Sequence, residues 1–345
     1  MNFIQPKCKL ISLLLSVTGL LSCSRGAMDH DVTENKIPLE FTTSVDWDVK
    51  SKALINSTED LQSCPVSILA NAAVGENVYS TFQNDKLFYE NGAWTYGPTK
   101  YWIYEAKYFF AAFAPFASGD AANKLSNGSV SFSDYDNNPV LAISGYNTIQ
   151  RNPNDSRTED LLVAHSVRDN TSSDDYSTVA LDFKHILSSV SFRIRNTTNN
   201  NIVEIRDIKL SGLLYKCDIV LNTSSVAMQI SDETGQAVSA DRIGTSQNPF
   251  LPKGMSEADY KLLFDCEILT LLPQTLYEND DIKLTFKVHT ASNTNGTDYM
   301  LKLGNIETLR KWEAGKKYDY SISITSTDIL FQVSEVPWIE HDVEL

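Results

Sequence analysis

Histidine and cysteine are scarce in this chain, five of each in 345 residues, and His30, His165, His185, His289 and His341 stand far apart in sequence. There is no HExxH pair and no Cys/His cluster at ligand spacing, which removes the usual transition-metal sites. Glycine-rich nucleotide loops are missing too: no Walker A segment, no GxGxxG after a strand, no GxSxG elbow. P-loop, Rossmann and serine-hydrolase chemistry therefore lack their basic parts. Basic clusters interleaved with aromatics are absent, and 29 Lys and Arg against 44 Asp and Glu give a net charge of −15. Such a surface repels nucleic acid, so no nucleic-acid partner is expected. No apolar run of spanning length follows the N-terminal stretch, and no repeat of fixed period occurs, which sets aside solenoids and propellers.

What is present is an ordinary globular composition, 42% apolar and 21% charged with 15 Tyr and 15 Phe, enough to bury a sizeable core. The length allows two domains. At the N-terminus, Lys7 and Lys9 precede an apolar stretch from Leu10 to Leu21 that is too short to span a bilayer stably. It ends Leu20-Leu21-Ser22-Cys23, the pattern read by bacterial lipoprotein signal peptidase. Residues 1–22 are thus expected to be a signal peptide and Cys23 the lipidated first residue of the mature chain, anchored in the outer membrane and facing the cell surface. Each buried acyl CH₂ contributes about 0.8 kcal/mol to such an anchor. Removal of residues 1–22 takes away Lys7 and Lys9 and no acid, leaving about −17.

Of the remaining cysteines, Cys64, Cys217 and Cys266 allow at most one internal disulfide. Cys217 with Cys266 is the first pair to test, and three buried thiols are the equal alternative. Acidic loops at 134–138 and 152–160 offer oxygen ligands but lack the glycine and terminal glutamate of an EF-hand, so plain solvated loops are expected and no cofactor or metal.

Residues 23–36 are polar and read as a tether. In Ile37-Pro38-Leu39-Glu40-Phe41-Thr42-Thr43-Ser44-Val45 the apolar side chains recur every second residue, which places Ile37, Leu39, Phe41 and Val45 on one face of a strand, with Pro38 marking an edge or a strand start. Period-two segments follow at Val78 to Phe82, Lys86 to Tyr89, Trp94 to Tyr96 and Lys107 to Phe113, then come short apolar islands at Val140 to Ile143 and Leu161 to Ala164, read as short strands among long loops. Later ones occur at Val179 to Phe183, Val190 to Ile194, Ile282 to Val288 and Tyr318 to Ile324. Only Ser256 to Phe264 looks helical. The pattern predicts an all-β protein of two antiparallel β-sandwich domains, 37–168 and 177–345, with the polar stretch Arg168 to Ser177 as linker. The aromatics between Trp94 and Phe113 are read mainly as core, because alternation buries about half of them.

Several longer pieces resemble the fimbrillin family, the type V pilin subunits of Bacteroides-like bacteria. They are Trp94-Thr95-Tyr96, then Lys100-Tyr101-Trp102, then Tyr108-Phe109-Phe110-Ala111-Ala112-Phe113-Ala114-Pro115, with Ile103 where the family usually carries proline. Asp160-Leu161-Leu162-Val163-Ala164, Val179 to Ile194, Leu272-Pro273-Gln274 and Trp312 to Tyr318 continue the resemblance in order. It implies a tandem of transthyretin-like sandwiches and assembly by donor-strand exchange. In that scheme the first strand, here Ile37, Leu39, Phe41 and Val45, fills a groove until a surface protease removes it. The groove then accepts another subunit's terminal strand. The corresponding cleavage position is Lys52-Ala53, where Lys stands in place of the family's Arg. At the other end, Ile339, Val343 and Leu345 share one face of a segment that is either the donor strand or the last strand of its own domain.

The resemblance thus implies a non-enzymatic structural subunit of a surface fimbrium, with other pilin subunits, the outer-membrane lipid on Cys23 and a host or bacterial surface ligand as partners. A monomeric surface lipoprotein that binds carbohydrate, stacking it on exposed members of the aromatics between Trp94 and Phe113, is the alternative reading. A glycan-degrading enzyme ranks third, since 44 acids supply a carboxylate pair in almost any fold.

Overall fold

The computed structural model describes residues 36–45, 55, 57–116, 124–125, 128–135, 138–148, 160–230, 238–239, 249–264, 268–276, 282–306, 309–326 and 329–337. Residues Ile37–Leu345 form one compact unit. The first strands in chain order are β1 (Phe41–Val45), β2 (Val66–Val74), β3 (Asn77–Glu90), β4 (Ala93–Thr95), β5 (Lys107–Ala114), β6 (Lys124–Leu125), β7 (Gly128–Tyr135) and β8 (Asn138–Asn147). Then come β9 (Leu162–Asp169), β10 (Val179–His185), β11 (Ser188–Asn196), β12 (Ile202–Ser211), β13 (Lys216–Leu221), β14 (Val226–Ile230), β15 (Val238–Ser239) and β16 (Lys261–Leu262). The last are β17 (Leu269–Leu271), β18 (Gln274–Thr275), β19 (Lys283–Thr290), β20 (Asn293–Lys302), β21 (Lys311–Trp312), β22 (Lys316–Ile324) and β23 (Ile329–Pro337).

The largest sheet has seven strands in the order β1-β10-β9-β5-β2-β3-β4. Its central strand β5 reads KYFFAAFA and is buried at every position after Lys107. The pleat explains this run, since successive side chains leave opposite faces. Tyr108, Phe110, Ala112 and Ala114 enter one core with Val66, Ile68, Leu162 and Leu181. Phe109, Ala111 and Phe113 enter a second with Leu141, Ile143, Cys217 and Ile219, side chains of a five-stranded sheet ordered β14-β13-β8-β7-β6. The centre of the seven-stranded sheet, at β5, is therefore buried on both faces.

A third core lies between two further sheets, β16-β11-β22-β23 and β15-β12-β19-β20. Val190, Phe192, Tyr318, Tyr320 and Ile322 come from one, and Ile205, Leu210, Leu284 and Phe286 from the other. The Trp312 indole N–H donates to the buried Tyr320 hydroxyl at 3.0 Å, which meets the one polar need of that ring.

The protein is all-β, as the alternation predicts, with three local differences. First, β1 with β10 and β11 with β22 pair in parallel, whereas the other named pairings are antiparallel. Each parallel pair brings together residues more than a hundred positions apart, beyond the reach of a turn signal. Second, Val78 to Phe82 and Lys86 to Tyr89 belong to the single long strand β3. It stays continuous because bulges beside Leu69 and Asn71 absorb the irregularity, and Asn84 takes a left-handed φ of 64°.

Third, Ser256 to Phe264 forms only a short 3₁₀ turn at Glu257–Asp259, after which Lys261–Leu262 pairs with β11. Its Ser256/Asp259 capping pair satisfies the backbone locally, and β-pairing then takes over. Among the described residues the α-helix sits instead at Thr58–Gln62, started by Ser57, whose hydroxyl accepts from the Asp60 N–H at 3.0 Å.

Residues 170–178 join β9 to β10, which are neighbours in the seven-stranded sheet, and β13 pairs with β8. Strands after residue 177 thus complete sheets begun before residue 168. Cys217 is a buried free thiol, so it does not bridge to Cys266, which lies outside the described residues. Among the described residues no helix is long and apolar enough to cross a membrane.

Candidate functional site

The leading segment, residues 37–45, occupies a slot in the seven-stranded sheet and is held from two sides. Along one side, β1 runs parallel to β10, with Phe41 opposite Val179 and Val45 opposite Phe183, and the Val179 N–H donates to the Glu40 carbonyl at 2.8 Å. Along the other, Pro38 bridges Tyr101 in antiparallel sense. There the Leu39 N–H donates to the Lys100 carbonyl at 2.9 Å and the Trp102 N–H to the Ile37 carbonyl at 3.0 Å. Proline suits the bridging position because neither bond asks it for an N–H. The segment thus ties the β10 edge of the sheet to the chain just beyond β4.

The alternation that defines the segment is carried into its burial. Leu39, Phe41, Thr43 and Val45 face the core at 2%, 5%, 8% and 6% exposure, while Glu40, Thr42 and Ser44 are exposed. Ile37 is half-buried against the same core. Phe41 is the centre of the slot: Phe82, Tyr96 and Phe110 meet its ring edge-to-face at centroid distances of 5.5, 5.8 and 5.9 Å. Three such pairs add about 0.5–1.5 kcal/mol each to the apolar area that Phe41 buries.

Tyr96 and Lys100 form a clasp over the segment. The Tyr96 hydroxyl donates to the Leu39 carbonyl at 2.6 Å and accepts from the Lys100 N–H at 3.4 Å. Burial pushes the phenol above its ordinary pKa, a rise that the Lys100 backbone bond only partly opposes. The Lys100 ammonium lies 4.2 Å from the Phe82 ring centre and bonds the Thr81 carbonyl at 2.5 Å and the Asp85 carboxylate at 2.6 Å. Lys100 therefore fixes its own backbone carbonyl, the acceptor that Leu39 uses.

Of the residues singled out by sequence, Ile37, Leu39, Phe41 and Val45 are gathered in this slot. Cys23, Lys52, Ala53, Ile339, Val343 and Leu345 lie outside the described residues. Trp94 and Trp102 are 8% and 5% exposed within the core of the slot, and Trp102 packs edge-to-face on Tyr108 at 4.9 Å. Neither indole offers an open face for a sugar ring; of the aromatics between Trp94 and Phe113, Tyr101 and Tyr104 are the exposed ones, at 43% and 48%. Tyr96, Lys100 and Thr43 are the slot residues that sequence reasoning passed over. The signal for the first two was present in the spacing of Tyr96 and Lys100 ahead of Trp102, but nothing local ties that stretch to residue 39.

Elsewhere, His185 and Asp160 form a buried pair at 2.9 Å where β10 ends. Among the described residues no group of three or more His, Cys, Asp or Glu is placed to hold a metal ion. Of the acidic stretch at 134–138, Asp134 and Tyr135 end β7 and Asn138 begins β8, which pairs with it; residues 136–137 lie outside the described residues.

Packed β-sheets, one of them closed by the chain's own leading segment, define the class as a β-sandwich protein. Residues 53–338 match the family described as fimbrillin-like, and the chain belongs to that family. A fimbrial protein from Bacteroides vulgatus shares the fold with a TM-score of 0.57 at 16% identity, over 88% of this chain and 100% of that one. A candidate cell-adhesion protein from Bacteroides uniformis aligns with a TM-score of 0.51 at 17% identity, over 88% and 99% of the two chains. A search of the curated proteins found no match.

Proposed function

We propose that this chain is a non-catalytic fimbrial subunit at the cell surface, contributing to adhesion and joined to its neighbours by strand replacement. The observation that carries this reading is the slot. Residues 37–45 form one short ribbon with alternating buried side chains, bonded to chain on both sides. Removal of it would leave the β10 edge unpaired and take the Leu39 donor from the Lys100 carbonyl, beside an open aromatic pocket. Such an edge is a template for any extended peptide with the same alternation. Membership of the fimbrillin-like family supports the same role, as does the description of one structural neighbour as a fimbrial protein.

In this proposal the chain is exported as a lipoprotein on Cys23, cut between Lys52 and Ala53, and organised as two transthyretin-like sandwiches in tandem. The segment bearing Ile339, Val343 and Leu345 serves as the donor for the next subunit. Purified protein trimmed before Ala53 should form SDS-resistant ladders or filaments. A trimmed protein that stays monomeric at high concentration contradicts the proposal.

A further inference from the structure

Within the leading segment, one inward position breaks the apolar pattern. Leu39, Phe41 and Val45 carry hydrocarbon into the core, but Thr43 carries a hydroxyl. The Thr43 side-chain oxygen is buried without a hydrogen-bond partner among the described residues. A hydroxyl taken out of water and left unmet weakens whatever strand bears it. Its neighbour on the outer side does not share the defect, since Ser44 donates to Asp182.

We infer that Thr43 makes the leading segment a deliberately weak occupant of its own slot. The fitting partner is then an extended peptide of a second polypeptide with an aliphatic, β-branched residue at the third inward position. This rests on the strand-replacement reading above and adds to it the direction of exchange. A ribbon with Val or Ile at that register keeps the backbone bonds and the fit around Phe41, and it loses only the unmet hydroxyl. The exchange therefore runs downhill without an external energy source. Thr43 acts here as a specificity-determining residue of the slot, favouring a foreign ribbon over the resident one.

The test uses the full chain in two forms. In the uncut chain, Thr43→Val should raise the hydrogen-exchange protection of the Trp102 amide roughly tenfold, while Thr43→Ser, which keeps the hydroxyl and loses the methyl, should lower it. In a chain given a specific protease site between residues 46 and 50 and then cut, two synthetic peptides compete with the resident segment. One is residues 36–46 unchanged, the other the same peptide with Val in place of Thr43. The second should compete roughly tenfold better.

Unchanged or reduced protection in Thr43→Val overturns the inference whatever the peptides do. If Thr43→Val raises protection but neither peptide displaces the resident segment, the slot is sealed. The strand-replacement reading then falls, and the partner assignment with it. If both peptides enter equally well, exchange stands and the role given to Thr43 is refuted.

Discussion

Replacing Phe41 by alanine is the sharpest test of whether residues 37–45 hold the seven-stranded sheet closed. Phe41 is 5% exposed and its ring is met by Phe82, Tyr96 and Phe110 within 5.9 Å. Truncating a buried phenylalanine typically costs about 3–5 kcal/mol, and the three facing rings belong to different parts of the sheet, which limits collapse of the cavity. The loss should fall first on local opening of the leading segment, whose release frees the Trp102 N–H from the Ile37 carbonyl. At about 1.4 kcal/mol per decade, protection of that amide should fall by roughly two to four decades.

Hydrogen exchange read by NMR or by mass spectrometry after proteolysis measures it directly, under conditions where reclosing outruns exchange. Thr42→Ala, on the exposed face of the same strand, should change stability by no more than about 0.5 kcal/mol. Trp102 protection within about threefold of the parent in Phe41→Ala would mean that the ring is dispensable and that the closure is held elsewhere.

Three further outcomes follow from the geometry. Tyr96→Phe removes the donor to the Leu39 carbonyl, so denaturation monitored at the leading segment should show a loss of about 1–3 kcal/mol. Because burial raises the Tyr96 pKa in the folded state, its contribution is complete below the unfolded phenol value near 10 and is lost as pH rises through the folded value. Alkaline opening of the segment should thus be steeper in the parent than in Tyr96→Phe. Glu313 accepts from Lys311 and Lys316, which hold its carboxyl down to about 2. Its stabilisation is present above the ordinary carboxylate value and lost as pH falls through about 2, and since the cluster is exposed, NMR titration in 1 M salt should move the pKa back up. Burial lifts the Cys217 thiol to about 12 and the Cys64 thiol to about 11, so alkylation at pH 8 mapped by mass spectrometry should label neither until the protein unfolds. Rapid native labelling of Cys217 would contradict its placement in the core.

Much of the slot was legible in the residues themselves. Alternation from Ile37 to Val45 declared the buried face, and the side chains that it named are the ones that fill the core. The same rule puts Thr43 inward, yet a polar residue in an apolar series reads as an interruption, so its burial shows only in three dimensions. The aromatic run before Phe113 was correctly read as core, but not that it serves two cores, because a period of two and a continuous apolar run overlap in YFFAAFA. The parallel partner of the leading strand was not legible, since no local pattern links Phe41 to Val179. Nor was the closure through residues 100–102, which joins residues far apart in sequence. The expected helix at Ser256 failed for a related reason: its capping residues were real, but pairing of Lys261 and Leu262 with β11 outweighed helix propagation.

Strand β5 has a consequence for how damage would spread. It is a single ribbon of backbone with one hydrophobic layer above it and another below, so the two layers share a wall no thicker than a peptide unit. Loosening on the side where Phe110 sits must disturb the footing of Phe109 and Phe113 on the other. The two layers are thereby coupled, and a defect sown in one would register in the other.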